Sequence, residues 1–223
     1  MTAPHRPQAT LRAALELRVD GLCVDRGGRR VIDDLSFSLR GGEALKITGR
    51  NGIGKSTLLR ALAGLLPVDA GRIALTGEGA EEPGYETHYL AHADGLKATL
   101  TVEENLDFWA RFLARAPHVE RALSLGDALE AVGLAHLRVV PVGLLSAGQK
   151  RRIALAKLLV SWRPLWLLDE PLTALDVASR ARFARLMQDH CALGGLIIAA
   201  THEPLGDLET RELALAPVPG VAA

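Results

Sequence analysis

The chain has 223 residues, 48% of them hydrophobic, enough to bury one sizeable core with at most a small appended subdomain. Lys plus Arg and Asp plus Glu balance at 26 each, so no global field attracts nucleic acid or anionic lipid, and nucleic acid is not an expected partner. No uncharged apolar run approaches the roughly 20 residues that span a bilayer, and Cys23 and Cys191, far apart and in no Cys-x-x-Cys pair, read as thiols of a reducing compartment.

Residues 1–14 carry Arg6 and Arg12 but lack the apolar centre of a signal peptide. They read as a flexible extension before one domain spanning 15–223. Residues 15–19 and 22–24 alternate as strands, with a hairpin turn at Arg26-Gly27-Gly28-Arg29-Arg30, and residues 35–39 alternate again. An antiparallel β-layer is thus expected ahead of the next segment, a short buried strand over 43–48.

That strand runs into Gly49-Arg50-Asn51-Gly52-Ile53-Gly54-Lys55-Ser56-Thr57, and 58–63 read as a helix ended by Gly64. The glycines allow positive φ and close approach of a ligand, so consecutive amides converge on phosphate oxygens at a helix N-terminus. Lys55 adds a point charge at the β- and γ-phosphates, and the Ser56 hydroxyl is placed to ligate Mg²⁺. A glycine-rich loop arising by chance would not bring strand, loop, Lys-Ser and helix into one register.

Asp69-Ala70-Gly71 turns into a strand over 72–75, residues 80–84 form a polar loop, and 87–91 read as a strand followed by loop residues His92-Ala93-Asp94-Gly95. His88 and His92 invite a metal or haem reading, but in an extended chain at about 3.3 Å per residue they lie roughly 13 Å apart and are read as unrelated. Thr101-Val102-Glu103-Glu104-Asn105 opens a helix whose Leu106, Phe108, Trp109, Phe112 and Leu113 recur at helical spacing, and Ala116-Pro117 ends it. A second helix covers about 122–132, closed by Gly133, so a helical subdomain over about 96–160 is inserted in the core. The aromatic cluster is expected to form a small helical core rather than a ligand box, with a docking surface for a partner as a third use.

Leu145-Ser146-Ala147-Gly148-Gln149 leads into a long helix over 150–162, which Ser146 or Gly148 could simply cap. Leu165-Trp166-Leu167-Leu168 is a buried strand ending in Asp169 and Glu170, where P-loop enzymes place their Mg²⁺-linked carboxylate. Asp176 opens a helix over 177–190, and the last core strand, 196–200, ends at Thr201-His202-Glu203, which puts His202 on the P-loop's edge of the sheet. Residues 204–223 are expected to add no further domain.

In that order, the segments Gly49 to Thr57, Leu145 to Gln149, Leu165 to Glu170 and Ala174 to Asp176, with His202, resemble the ATP-binding-cassette (ABC) ATPases over nearly the whole chain. The Leu-Ser-Ala-Gly-Gln signature is far more specific than the P-loop. The resemblance implies an α/β fold with a P-loop NTPase core, an N-terminal antiparallel β-layer and an inserted helical subdomain. It also implies ATP and Mg²⁺ as cofactors and a head-to-tail homodimer with two ATP molecules between the protomers. Gly49 to Thr57 would bind the nucleotide, Ser56 and Asp169 would hold Mg²⁺, Glu170 would polarise the attacking water, and His202 would sense the γ-phosphate. Ser146 and Gly148 of the other protomer would close on that phosphate, with His92 and Asp176 in the loops that couple the sites. Three positions depart from the pattern: Arg26 stands where relatives carry an aromatic over adenine, Ala147 replaces a signature glycine, and His92 stands at the usual glutamine.

Tyr89-Leu90-Ala91-His92 with Gly95-Leu96-Lys97, the Gly27-Gly28-Arg29-Arg30 turn, Trp162-Arg163-Pro164-Leu165-Trp166-Leu167-Leu168 and Thr201-His202-Glu203-Pro204-Leu205 are similar to the ATP-binding subunits of bacterial haem exporters of cytochrome c maturation. That group shares the histidine seen at His92. This second resemblance implies integral membrane permease subunits as partners, a peripheral place on the cytoplasmic face of the inner membrane, and ATP-driven release of haem bound to a periplasmic chaperone. No residue here is read as binding haem directly. The alternatives are the ATPase of another small transporter, a soluble mechanical ATPase, for which tandem cassettes or basic extensions are expected, and a small-molecule kinase, which would leave Leu145 to Gln149 unexplained.

Overall fold

The computed structural model of the protein describes residues 15–77, 86–113 and 121–218. The 1–14 extension, the 80–84 loop and the Ala116-Pro117 helix end read from the sequence lie outside those residues. Strands β1 (Glu16–Arg26) and β2 (Arg29–Arg40) form an antiparallel hairpin about Gly27 and Gly28. β1 is one strand rather than two: its register with β2 shifts between Val19 and Leu22, a bulge at Gly21 that the alternation reads as a break. Further along, β4 (Ala70–Thr76) pairs with the other edge of β1, giving the order β2-β1-β4.

A second sheet contains β3 (Ala44–Thr48), β5 (Thr87–Leu90), β6 (Leu165–Asp169), β7 (Leu196–Ala200) and β8 (Arg211–Ala214) in the order β5-β6-β7-β3-β8, every pairing parallel. β8 has no counterpart in the sequence reading. It is a four-residue edge strand with mostly exposed side chains, so it lacks the apolar run that marks β6 and β7.

Helix α1 (Lys55–Leu62) lies between the two sheets. Its Leu58, Leu59 and Leu62 pack with Leu17 and Val19 of β1, Leu165 and Leu167 of β6, and Ile198 of β7. Burial of each large aliphatic side chain contributes about 1.5–3 kcal/mol. The alternate residues Trp166, Leu168, Ile197 and Ala199 face the opposite way, against α2 (Val102–Leu113), α3 (Leu125–Ala131), α4 (Ala147–Ala156) and α5 (Val177–Ala192). A parallel sheet covered on both faces explains why β6 and β7 read as unbroken apolar runs.

Three further expectations change. α3 is shorter than the 122–132 reading because Ser124 caps it, accepting from the Asp127 amide. α4 stops at Ala156 instead of 162. Its end tightens through i→i+3 bonds from the amides of Leu158 to Leu155 and of Leu159 to Ala156, and Pro164 disfavours helical backbone just before it. Phe108 and Phe112, 49% and 66% exposed, stack on each other at the surface with Trp109 edge-on, so the aromatics do not form the small helical core. That core is built from Val102 and Leu106 of α2 with Leu129, Leu134 and Ile153, because α2 turns its acidic and aromatic residues outward.

Candidate nucleotide site

Parallel pairing brings the carboxyl ends of β3, β6 and β7 into line: Ile47 stands opposite Ala200, and Ala200 opposite Asp169. The backbone then crosses between them, the Thr201 amide donating to Ile47 O at 3.4 Å and the Glu170 amide to Ala200 O at 2.9 Å. Ligands of open parallel sheets bind outside this edge.

The loop after β3 has left-handed glycines, with φ of 136° at Gly49, 79° at Gly52 and 117° at Gly54. Gly54 is the N-cap of α1, and a Cβ there would lie 2.7 Å from Val31 Cγ1, so the loop is held tightly against β2. Arg50, Asn51 and Gly52 are exposed, and Ile53 and Ser56 partly so. Lys55 opens α1 and curls back over the loop, its Nζ donating to Gly49 O at 2.7 Å and lying 3.1 Å from His202 Nε2. Arg26, Arg29, Arg50, Asn51, Ile53 and Thr57 line a cleft beside the loop with Val31 and Pro217. Arg26 thus stands next to the phosphate loop, although far from it in sequence.

Asp169 ends β6 with 7% of its surface exposed. Tyr89 donates its hydroxyl to Asp169 Oδ2 and receives from Arg60 Nε, each at 3.4 Å; burial pushes the Tyr89 phenol above its ordinary range. Arg60 and Tyr89 escape a motif search because an arginine in a helix and a tyrosine in a strand carry no pattern of their own. Glu170 follows in a left-handed conformation, φ 45°, uncommon for a residue with a side chain.

The signature segment lies in a different cleft, lined by Ser146, Gly148, Gln149, Arg152, Ala174, Asp176 and Ser179. Ser146 caps α4 in a reciprocal box: the Gln149 amide donates to Ser146 Oγ at 3.2 Å, and the Ser146 amide donates to Gln149 Oε1 at 2.8 Å. Leu145 is buried under this turn and Ala147 is exposed. Asp176 caps α5 by accepting from the Ser179 amide at 2.7 Å, and that bond holds its carboxyl below the usual carboxylate range. One chain therefore carries the glycine-rich loop with Asp169 and Glu170 on one edge and the Ser146 turn in a separate cleft. His92 is exposed on the loop after β5, whereas His88 is buried and directs Nε2 at Ser161 O. Among the described residues, no group of three or more His, Cys, Asp or Glu could hold a metal, and no helix is long and apolar enough to cross a membrane.

The chain is similar to known proteins over most of its length. Residues 32–173 match the family model for the ABC transporter. The chain is 50% identical over 201 residues to a cytochrome c biogenesis ATP-binding export protein CcmA from Rhizobium meliloti (strain 1021), covering 89% of this chain and 97% of that one. It is 54% identical over 194 residues to the CcmA of Rhodopseudomonas palustris (strain HaA2), covering 86% and 94%. A solved ATP-binding subunit of an ABC transporter superposes with TM-score 0.72 at 26% identity, over 83% of this chain and 79% of that one. An ABC transporter ATP-binding protein from Pyrococcus furiosus shares the fold, with TM-score 0.74 at 24% identity over 90% and 97%. The chain belongs to the ABC transporter family, as an ATPase of that family, and within it to the cytochrome c biogenesis ATP-binding export proteins.

Proposed function

We propose that two copies of this chain bind ATP between them and power a membrane complex that releases or exports haem for c-type cytochromes. The observation that carries the dimer reading is the separation of the two clefts: the phosphate loop, Asp169, Glu170 and His202 share one sheet edge, while Ser146 and Gly148 line another cleft with Asp176. A head-to-tail pairing brings the Ser146 turn of one copy against the phosphate loop of the other.

Lys55 and the amides of Gly49 to Thr57 bind the phosphates, and Lys55 exchanges its contact with Gly49 O for phosphate oxygen. Glu170 orients the attacking water, His202 donates toward the γ-phosphate, and Ser146 and Gly148 of the second copy close over it. The Asp169 carboxylate and the Ser56 hydroxyl are hard oxygen donors, at the end of β6 and in the first turn of α1, and that chemistry suits Mg²⁺. Mg²⁺, when bound, neutralises charge on the phosphates. His92, a nitrogen donor on an exposed loop, is left outside that set. Contacts across the nucleotide exist only with ATP, so hydrolysis loosens the dimer.

The haem and cytochrome c part of the reading is supported by the names of the relatives and by the phrases around His92, Trp162 and His202. The integral membrane partners and the cytoplasmic face of the inner membrane rest on the same support. The test is deletion of the gene with tagged wild-type chain or Glu170→Gln supplied in trans, reading covalent c-type haem and the membrane proteins that co-purify. Loss of c-type cytochromes, restored by wild type alone, together with capture of integral membrane subunits, is the expected result. Normal c-type cytochromes in the deletion strain would overturn it.

A further inference from the structure

Arg151 sits in the second turn of α4, past the Ser146 cap, and is only 4% exposed. All five of its N–H bonds have acceptors, drawn from two distant loops. Nη1 donates to Ala91 O at 2.9 Å and Asp94 Oδ1 at 3.1 Å; Nη2 donates to Asp169 O at 3.1 Å and Glu170 O at 2.8 Å; Nε donates to Pro171 O at 3.3 Å. A cation is retained in such a place only where its donors are fully used, and the planar fork of a guanidinium meets that condition where an ammonium cannot.

The two loops differ in what holds them. The 91–97 segment is fastened to the helices: Lys157 donates to Asp94 O, Trp109 Nε1 to Gly95 O at 3.1 Å, and Asn105 both receives from the Lys97 amide and donates to its carbonyl. Burial also draws the Lys157 ammonium down to about 8. The 169–171 segment continues from the end of β6, and its left-handed Glu170 is fixed on one side by the bond from its own amide to Ala200 O. Arg151 fixes the other side, at the Glu170 carbonyl. A shift of α4 relative to β6 therefore acts on the Glu170 backbone and, through Ala91 and Asp94, on the loop that carries His92.

We propose that Arg151 is a positioning residue for hydrolysis, which holds Glu170 in its reactive pose and ties that pose to the helices bearing the Ser146 turn. The proposal rests on the role given to Glu170 above. All five N–H bonds of Arg151 are spent on protein acceptors, so it acts through Glu170.

The test uses the full-length protein and single-turnover ATP hydrolysis, slow enough to read residual rates, beside ATP binding and thermal melting. Arg151→Met is expected to lower the hydrolysis rate about tenfold or more while ATP affinity stays within about twofold. In a Glu170→Gln background the same substitution is expected to add no further loss, whereas in a His202→Ala background the losses multiply. A residue that merely supports the fold would lower ATP affinity and multiply with both. Should Arg151→Met fail to fold, Arg151→Lys carries the same cycle, since it keeps the charge and gives up the fork. Wild-type hydrolysis in a folded Arg151 variant, or multiplication with Glu170→Gln, would overturn the proposal. Near-normal hydrolysis by Glu170→Gln alone would remove the Glu170 reading itself.

Discussion

Lys55 Nζ lies 3.1 Å from His202 Nε2, joining the first residue of α1 to the segment just after β7, between the neighbouring strands β3 and β7. An ammonium only donates, so Nε2 accepts in this pairing, and donation from Nε2 to a γ-phosphate requires the ring proton on that nitrogen once Lys55 has turned to the phosphate. In the proposed function, a γ-phosphate entering between them would take over Lys55 as a donor and free His202 to respond. His202→Ala is therefore expected to lower kcat by about tenfold to a hundredfold, the worth of one charge-assisted hydrogen bond, with ATP binding changed only a few-fold. Lys55→Ala is expected to lose ATP binding itself. Isothermal titration beside steady-state ATPase rates separates the two outcomes.

Glu170→Gln keeps the shape of the side chain and removes its charge. ATP binding is expected to persist, turnover to fall by two orders of magnitude or about that, and the protein to elute as an ATP-dependent dimer on size exclusion. A variant that hydrolyses ATP at the wild-type rate would remove Glu170 from its role.

The signature tolerates a methyl at one position and not the next. Ala147 is exposed, but a Cβ at Gly148 would lie 2.7 Å from the Ala174 carbonyl, on the turn that leads to Asp176. Ala147→Gly is expected to leave the ATPase rate within about twofold, since an exposed first-turn alanine contributes only helix propensity. Gly148→Ala displaces the 174–176 turn, and a loss of activity of about tenfold or more is expected from the misplacement. Equal rates for the two variants would contradict the packing argument.

Acid sensitivity follows from two buried imidazoles. Burial draws His88 down to about 3, and draws His190, stacked on Trp166 at 4.0 Å, down to about 4, both from an ordinary value of 6.5. In the unfolded chain both take up protons below that value while the folded chain does not, so their stabilisation is complete above it and is lost as pH falls toward the folded values. Each contributes a slope of at most about 1.4 kcal/mol per pH unit in that window. Urea midpoints measured from about pH 7.5 to 5 are expected to hold at first and to drop as pH falls through about 6.5 and below, and His88→Gln to flatten that drop. Midpoints independent of pH over this range would contradict the burial of both rings.

The phosphate loop, the β6 carboxylates and His202 were legible because each is a local pattern: glycine spacing before Lys55, and an apolar run that stops at Asp169. The alternation of Leu165 and Leu167 against Trp166 and Leu168 is silent about partners, since both faces of the sheet are covered. Phe108 and Phe112 misled because helical spacing reports a shared face and does not say whether anything covers it. Arg151 was invisible for the opposite reason: an arginine in a polar turn of α4 reads as solvated, and only the convergence of Ala91, Asp94 and the β6 end reveals it as buried. β8 is too short and too exposed to leave a signal.

The composite site is tested most directly by mixing two inactive variants, Lys55→Ala and Ser146→Arg. In a head-to-tail dimer each variant alone spoils both sites, while the mixed dimer contains one site built from the intact Lys55 of one copy and the intact Ser146 of the other. ATPase activity is expected to reappear on mixing, up to about a quarter of the wild-type rate when half the dimers are mixed. No recovery, in a mixture whose mixed dimers are confirmed by co-purification of two tags, would contradict the account.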